Sequence, residues 1–228
     1  MRYRIQVVGW TLVWCGVFLF GYLGWQLYVT DWFNAGVQEE AAQQLEADLS
    51  DEEEPLSEPV PVGDDVVDRY REESAPAGIP FGFITMPTIG VEDVVVYEGV
   101  DRETLTNGPG HMPSTPLPGQ PGNAVLSGHR TTYGRPFHDL DLLKVGDEVR
   151  VRTRIGVHTY EVRDIFVVEP TDVWVADPRG GGWLTLTTCE PKFSSRQRLV
   201  VQAEMVDGPN LEYIEATAGD TPGSSISD

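Results

Sequence analysis

Cys189 closes the run Leu184-Thr185-Leu186-Thr187-Thr188-Cys189-Glu190-Pro191, in which alternating apolar and polar residues carry a thiol to the end of an expected strand. The sequence has 2 cysteines, and the other, Cys15, lies in a long apolar segment near the N-terminus. The thiol at 189 therefore has no partner in the folded part of the chain. Such a residue is either an inert buried side chain or a reactive nucleophile. A thiol attacks as thiolate, so nucleophilic work needs a base or a cationic neighbour. There are 4 histidines to supply it. His158 opens an alternating strand, as an ordinary surface or core residue would, and His138 sits beside Asp139 as a solvated side chain would. His111 falls in the turn-rich run Asn107-Gly108-Pro109-Gly110-His111-Met112-Pro113 and is placed to line a groove. His129 follows the apolar strand ending at Ser127-Gly128, where a side chain can be aimed into a cleft. Acyl transfer also develops an oxyanion, which a guanidinium suits because its charge is permanent and its donors form a fixed fork. Arg198 opens the last expected strand. If that strand pairs antiparallel with the one ending at Cys189, both side chains meet at one end of the sheet. Arg196, in a polar loop run, is the rival and reads as solvated.

Short β runs separated by turn residues must hold these groups. They cover residues 81–86, 93–97, 123–127, 148–153, 158–163, 165–168, 183–188 and 198–203. Helical signals are few and short, at 101–105 and 137–143. About eight strands with one or two helical turns imply a mainly β fold closed, or nearly closed, into a barrel. The domain is expected over 79–206, followed by a flexible Gly/Ser/Thr-rich tail over 207–228.

What precedes the domain is of another kind. Residues 5–29 carry no charge, and 25 helical residues span about 37 Å, enough for a hydrocarbon core of roughly 30 Å. Arg2 and Arg4 precede this span and Asp31 follows it, so residues 1–30 read as a cytoplasmic stub and a single-pass membrane anchor with the domain outside. Asn34-Ala35-Gly36 offers only a weak version of a signal-peptide cleavage site. Residues 31–78 read as an acidic, proline-containing linker. From Glu39 to Ser74 there are 14 acids against Arg69 and Arg71, a balance of −12, whereas residues 75–206 hold 16 acids and 12 Lys/Arg, only −4. Most of the net charge of −20 thus belongs to the linker, which is expected to stay extended and self-repelling. A field of this sign excludes nucleic acid as a partner. No cage of acids for a metal is recognisable, and no cofactor is expected.

Leu186-Thr187-Thr188-Cys189, Ser127-Gly128-His129-Arg130 and a strand-opening Arg198, behind an N-terminal anchor, together resemble the sortases, the cysteine transpeptidases of Gram-positive cell envelopes. The runs Gly128-His129-Arg130-Thr131-Thr132-Tyr133-Gly134 and Thr185-Leu186-Thr187-Thr188-Cys189 are most similar to the class E group of actinobacteria. The resemblance covers about 79–206. It implies an eight-stranded sortase barrel, with Cys189 as nucleophile, His129 as acid/base partner and Arg198 as stabiliser of the transition state and substrate. It further implies His111, Met112, Thr131, Tyr133 and Thr188 as substrate-binding residues. The partners implied are secreted proteins bearing a C-terminal sorting signal, cut between Thr and Gly, and a peptidoglycan precursor amine as acceptor. Class E members commonly carry a tyrosine where this chain has Met112, linked to preferring Leu-Ala-x-Thr-Gly over Leu-Pro-x-Thr-Gly signals. Methionine gives that position flexible apolar volume without a hydroxyl.

Overall fold

β-Branched and aromatic residues alternate with polar ones along most of the strands, and eight strands close into a barrel in the order β1-β2-β3-β4-β7-β8-β6-β5. They are β1 (Pro80–Met86), β2 (Val91–Glu98), β3 (Gly110–His111), β4 (Gly122–Ser127), β5 (Glu148–Thr153), β6 (Gly156–Val168), β7 (Gly182–Glu190) and β8 (Gln197–Asp207). The computed structural model describes residues 2–25, 30–51 and 76–218. Two pairings, β2 with β3 and β4 with β7, are parallel and the others antiparallel. Inward-facing Ile84, Val96, Leu126, Val151, Tyr160, Leu184, Leu186 and Val201 fill the interior with Phe137 and Leu140 from the β4–β5 connection. Burying aliphatic and aromatic side chains of this size stabilises by about 1.5–3 kcal/mol each.

The expected count of eight is correct, but its composition differs. The runs at 158–163 and 165–168 form the single strand β6, bent by an irregularity between Val162 and Asp164. The eighth member is instead β3, two residues paired with both β2 and β4. The helical signal at 101–105 becomes α3 (Arg102–Asn107), whose free N–H groups at Glu103 and Thr104 are accepted by the Asp101 carboxylate. The signal at 137–143 shrinks to a 3₁₀ turn at Leu140–Leu142.

Two differences lie outside the barrel. The linker expected to be extended from residue 31 begins as helix α2 (Thr30–Asp51), docked on the barrel wall. Its contact stripe is Asn34, Gln38, Ala41, Leu45 and Leu49, a helical spacing of three and four. Ala41 and Leu45 pack on Phe83, Val95 and Tyr97 with Ala42 and Leu49 alongside, and Glu46 pairs with Arg152 at 2.7 Å. The remaining linker residues, 52–75, lie outside the described residues. The flexible tail expected from 207 likewise begins with ordered chain. β8 runs to Asp207, and α4 (Leu211–Thr217) sends Ile214 into the core.

At the other terminus the expected anchor is represented by helix α1 (Arg2–Gly24). Residues 26–29 of the span lie outside the described residues, and among those described no helix is long and apolar enough to cross a membrane.

Candidate active site

Cys189 and Arg198 face each other across the antiparallel β7–β8 ladder as direct register partners. Opposed residues in such a ladder project to the same face. Leu184 and Leu186 on β7, and Leu199 and Val201 on β8, point into the core. Period-two alternation then turns Cys189 and Arg198 to the outer wall, where each is half-buried. One nitrogen of Arg198 donates to the carbonyls of Ser195 and Gln197, both at 3.0 Å, and this holds the guanidinium at the entrance to β8. Arg196 points outward, exposed, on the connection between the two strands.

His129 arrives at this end because β4 runs parallel to β7, with Ser127 beside Thr187. The hydroxyls of that pair share a hydrogen bond of 2.8 Å, and the Gly128 N–H donates to the Thr187 carbonyl at 3.1 Å. The Thr188 hydroxyl, buried, donates to the Gly128 carbonyl at 2.7 Å. Gly128 has to be glycine, since a Cβ there would lie 2.6 Å from the Phe137 ring packed beneath it. These bonds fasten the start of the His129 loop to the strand that carries the thiol. The His129 ring packs against the Tyr133 ring, with 5.0 Å between centroids at 47°. Burial pushes the His129 imidazole below its ordinary pKa, so the ring is neutral at neutral pH.

Arg130 completes the fastening. Its side chain is 2% exposed, and it bonds the Cys189 carbonyl at 3.1 Å, the Glu190 carboxylate, Asp141 at 3.1 Å and the His138 carbonyl at 3.3 Å. In the sequence Arg130 is visible only as part of the Ser127-Gly128-His129-Arg130 motif, without a role of its own. Its position next to His129 was the available signal, but its partners come from two other segments, the end of β7 and residues 138–141. Asn123 was missed in the same way. Its amide nitrogen donates to the Val175 and Asp177 carbonyls, at 2.9 and 3.2 Å, tying the β6–β7 connection beside the outer wall of β4 and β7.

The other expected site residues distribute differently. Tyr133 and Thr188 lie with Cys189, His129 and Arg198 as just described, and Thr131 is half-buried in the same loop. His111 lies elsewhere. It is buried on β3, bonded to Glu98 at 2.7 Å and to the Pro116 carbonyl at 3.0 Å. Its backbone pairs with Leu126, next to Ser127, but its side chain, with Glu98, Thr115, Leu117, Gln120 and Asn123, lines a cavity of about 580 Å³ that extends to the start of β4. Met112 donates its N–H to the Val125 carbonyl, midway along β4. His138 bonds Asp139 at 2.7 Å, and His158 is fully enclosed in the core. Among the described residues, no group of three or more His, Cys, Asp or Glu side chains is placed to hold a metal ion.

A thiol, a neutral imidazole and a guanidinium thus share one end of an outer wall. That combination can form a thioacyl adduct, stabilise an oxyanion and relay one proton. The family model described as Sortase domain matches residues 84–206. Sortase SrtE1 of Streptomyces coelicolor is 34% identical over 146 residues, 57% of this chain and 41% of that protein, so the chain spans less than half the length of this relative. The structure of sortase E from Streptomyces avermitilis is 39% identical with a TM-score of 0.53, over 58% of this chain and 91% of that one. A Clostridium perfringens sortase D5 transpeptidase reaches a TM-score of 0.61 at 25% identity, over 75% of this chain and 99% of that one.

Proposed function

Since the chain belongs to the sortase family, we propose that it is a cysteine transpeptidase that cuts a C-terminal sorting signal between Thr and Gly and transfers the new acyl group to a cell-wall amine. The observation that carries this reading is the cross-strand pair Cys189–Arg198, with the His129 loop fastened to the same strand end. Neutral His129 accepts the Cys189 proton as the sulfur attacks the threonine carbonyl. The carbonyl π pair moves onto oxygen, and the Arg198 nitrogens not engaged by Ser195 and Gln197 stabilise the oxyanion. Collapse breaks the Thr–Gly bond, and His129 returns its proton to the leaving glycine amine. An incoming amine then attacks the thioester, His129 takes its proton, and Cys189 departs as thiolate before recovering that proton. Thr188 acts through the loop it holds, and Tyr133 through its contact with His129. Met112 would read the signal from the β3–β4 connection, whereas His111, buried on β3 with both ring nitrogens bonded, would act only by holding Glu98 and the start of that connection.

The same reading places the enzyme at the cell membrane, single-pass, with residues 1–30 as stub and anchor and the domain outside. Its support is the uncharged span 5–29 with Arg2 and Arg4 before it. The substrates are secreted proteins bearing an LPxTG- or LAxTG-like signal, and the acceptor is a peptidoglycan precursor amine. Incubating the full chain with a panel of signal peptides and candidate amines tests this. Thr–Gly cleavage coupled to amine-dependent product, both lost in Cys189→Ala, is the expected result. Peptide cleavage that persists in Cys189→Ala would overturn it.

A further inference from the structure

We infer that Asn34, on a helix N-terminal to the catalytic domain, is a positioning residue for His129. This rests on the reading of His129 as the acid/base group. The loop after His129 turns through three successive residues in the left-handed region: Tyr133 at φ 52°, Gly134 at φ 72° and Arg135 at φ 50°. Tyrosine and arginine carry a Cβ that disfavours this region, so the conformation persists only where the surroundings over-determine it. The base of the loop is closed by its own backbone. Phe137 N–H donates to the His129 carbonyl at 3.2 Å, His138 N–H to Arg135 at 3.0 Å and Arg135 N–H to Thr132 at 3.1 Å. The apex rests on α2.

Asn34 is 8% exposed. Its amide nitrogen donates to the Thr106 and Asn107 carbonyls at 2.8 and 3.1 Å, which fixes the side chain against α3. Its Oδ1 then abuts Gly134 so closely that a Cβ at 134 would clash with it. The next residue back, Tyr133, supplies the ring on which His129 packs. A contact therefore runs from α2 through Gly134 and Tyr133 to the imidazole. The helix itself cannot drift. Gln38 accepts from the Val95 N–H at 2.9 Å and donates to the Val95 and Asn107 carbonyls at 3.3 and 2.7 Å. It thereby occupies the edge of β2 that two-residue β3 leaves unpaired. Asn34 and Gln38 lie before residue 84, where the family match begins. The helix reaches the His129 loop from outside the segment that the family model matches.

The test uses the full chain in detergent micelles and compares wild type with Asn34→Ala and Leu45→Ala. Leu45 packs on Phe83, Val95 and Tyr97, away from the loop. In Asn34→Ala, kcat for peptide cleavage is expected to fall about tenfold with KM within twofold, as for a displaced catalytic group. By NMR titration, the His129 pKa should rise toward the ordinary imidazole value as the loosened loop admits water. Leu45→Ala should lower the melting temperature and change neither. The inference is overturned if Asn34→Ala leaves both kcat and the His129 titration as in wild type, or if Leu45→Ala reproduces both changes. A wild-type chain that cleaves no signal peptide would overturn the transpeptidase reading instead, while the titration would still decide the positioning of His129.

Discussion

Arg130→Ala should uncouple the two halves of the active site and cost more stability than any other single change in the loop. The guanidinium bonds two carboxylates and two carbonyls from its buried position. Removing one partner of a buried ion pair costs about 3–5 kcal/mol, because the remaining charge is left in a poor solvent. Here Glu190 and Asp141 are 25% and 40% exposed, so water can take them up and the cost falls at the low end. The carbonyls of Cys189 and His138 lose donors as well, at about 1 kcal/mol each, partly offset by new solvation. The expected total is about 3–4 kcal/mol. A domain stable by about 5–15 kcal/mol should survive this with a melting temperature lower by roughly 10–15 °C. Arg130→Lys keeps one charge but not the fork, and should recover less than half of the loss. Thermal unfolding of the three proteins, followed by peptide cleavage well below each midpoint, separates stability from geometry. The folded alanine variant should still lose at least tenfold in kcat, because neither the Cys189 carbonyl nor the His129 loop is held. A melting temperature within about 3 °C of wild type would refute the reasoning, since the buried fork would then contribute little.

Cys189→Ala should abolish cleavage and thioacyl capture with unchanged circular dichroism. His129→Ala and Arg198→Ala should each lose about 10²–10⁴ in rate, and exposed Arg196→Ala should be nearly silent in the same peptide assay. Because burial holds the His129 pKa below its ordinary value, activity should fall with pH only below about 6.5, when the ring becomes protonated and cannot accept the thiol proton. A limb above pH 7 that disappears with His129→Ala would contradict this. His158 is fully enclosed with neither ring nitrogen bonded among the described residues, and burial pushes its pKa down to about 4. The unfolded ring binds a proton below about 6.5 and the folded ring does not. Stability present at pH 7 should therefore drop by about 3 kcal/mol on going to pH 4, a slope that His158→Leu should flatten in urea titrations. Finally, Leu-Pro-x-Thr-Gly and Leu-Ala-x-Thr-Gly peptides should differ in kcat/KM by no more than about tenfold, roughly 1.4 kcal/mol. A strong alanine preference, unchanged in Met112→Tyr, would show that position 112 does not read the signal.

Most of the barrel was legible because it rests on a local pattern. Alternation marks a strand wherever one face is buried, and it delimits β5 and β7 almost to the residue. The meeting of Cys189 and Arg198 was legible because they sit at the ends of neighbouring strands, so pairing alone brings them together. β3 was not legible. A Gly-His dipeptide has no period, and its strand character comes only from the neighbours that flank it on both sides. Within 156–168, the polar pair Arg163-Asp164 looks like a break between strands. The ladder absorbs it as an irregularity and continues.

Helix α2 was hidden for a different reason, which bears on how the site works. Net charge dominates the segment after Glu39, and charge favours an extended chain only when nothing on the segment can be buried. Ala41, Leu45 and Leu49 are too few and too narrow a stripe to announce a helix unaided. Its docking also draws on two amides, Asn34 and Gln38, that bond backbone groups the barrel leaves open. Those open groups exist because β3 is short. The element least visible in the sequence thus creates the edge that the next least visible one covers, and covering it brings Asn34 against the loop of His129. Nothing in the local pattern of either segment encodes that contact, whereas the closed barrel requires the exposed edge of β2 to find a partner.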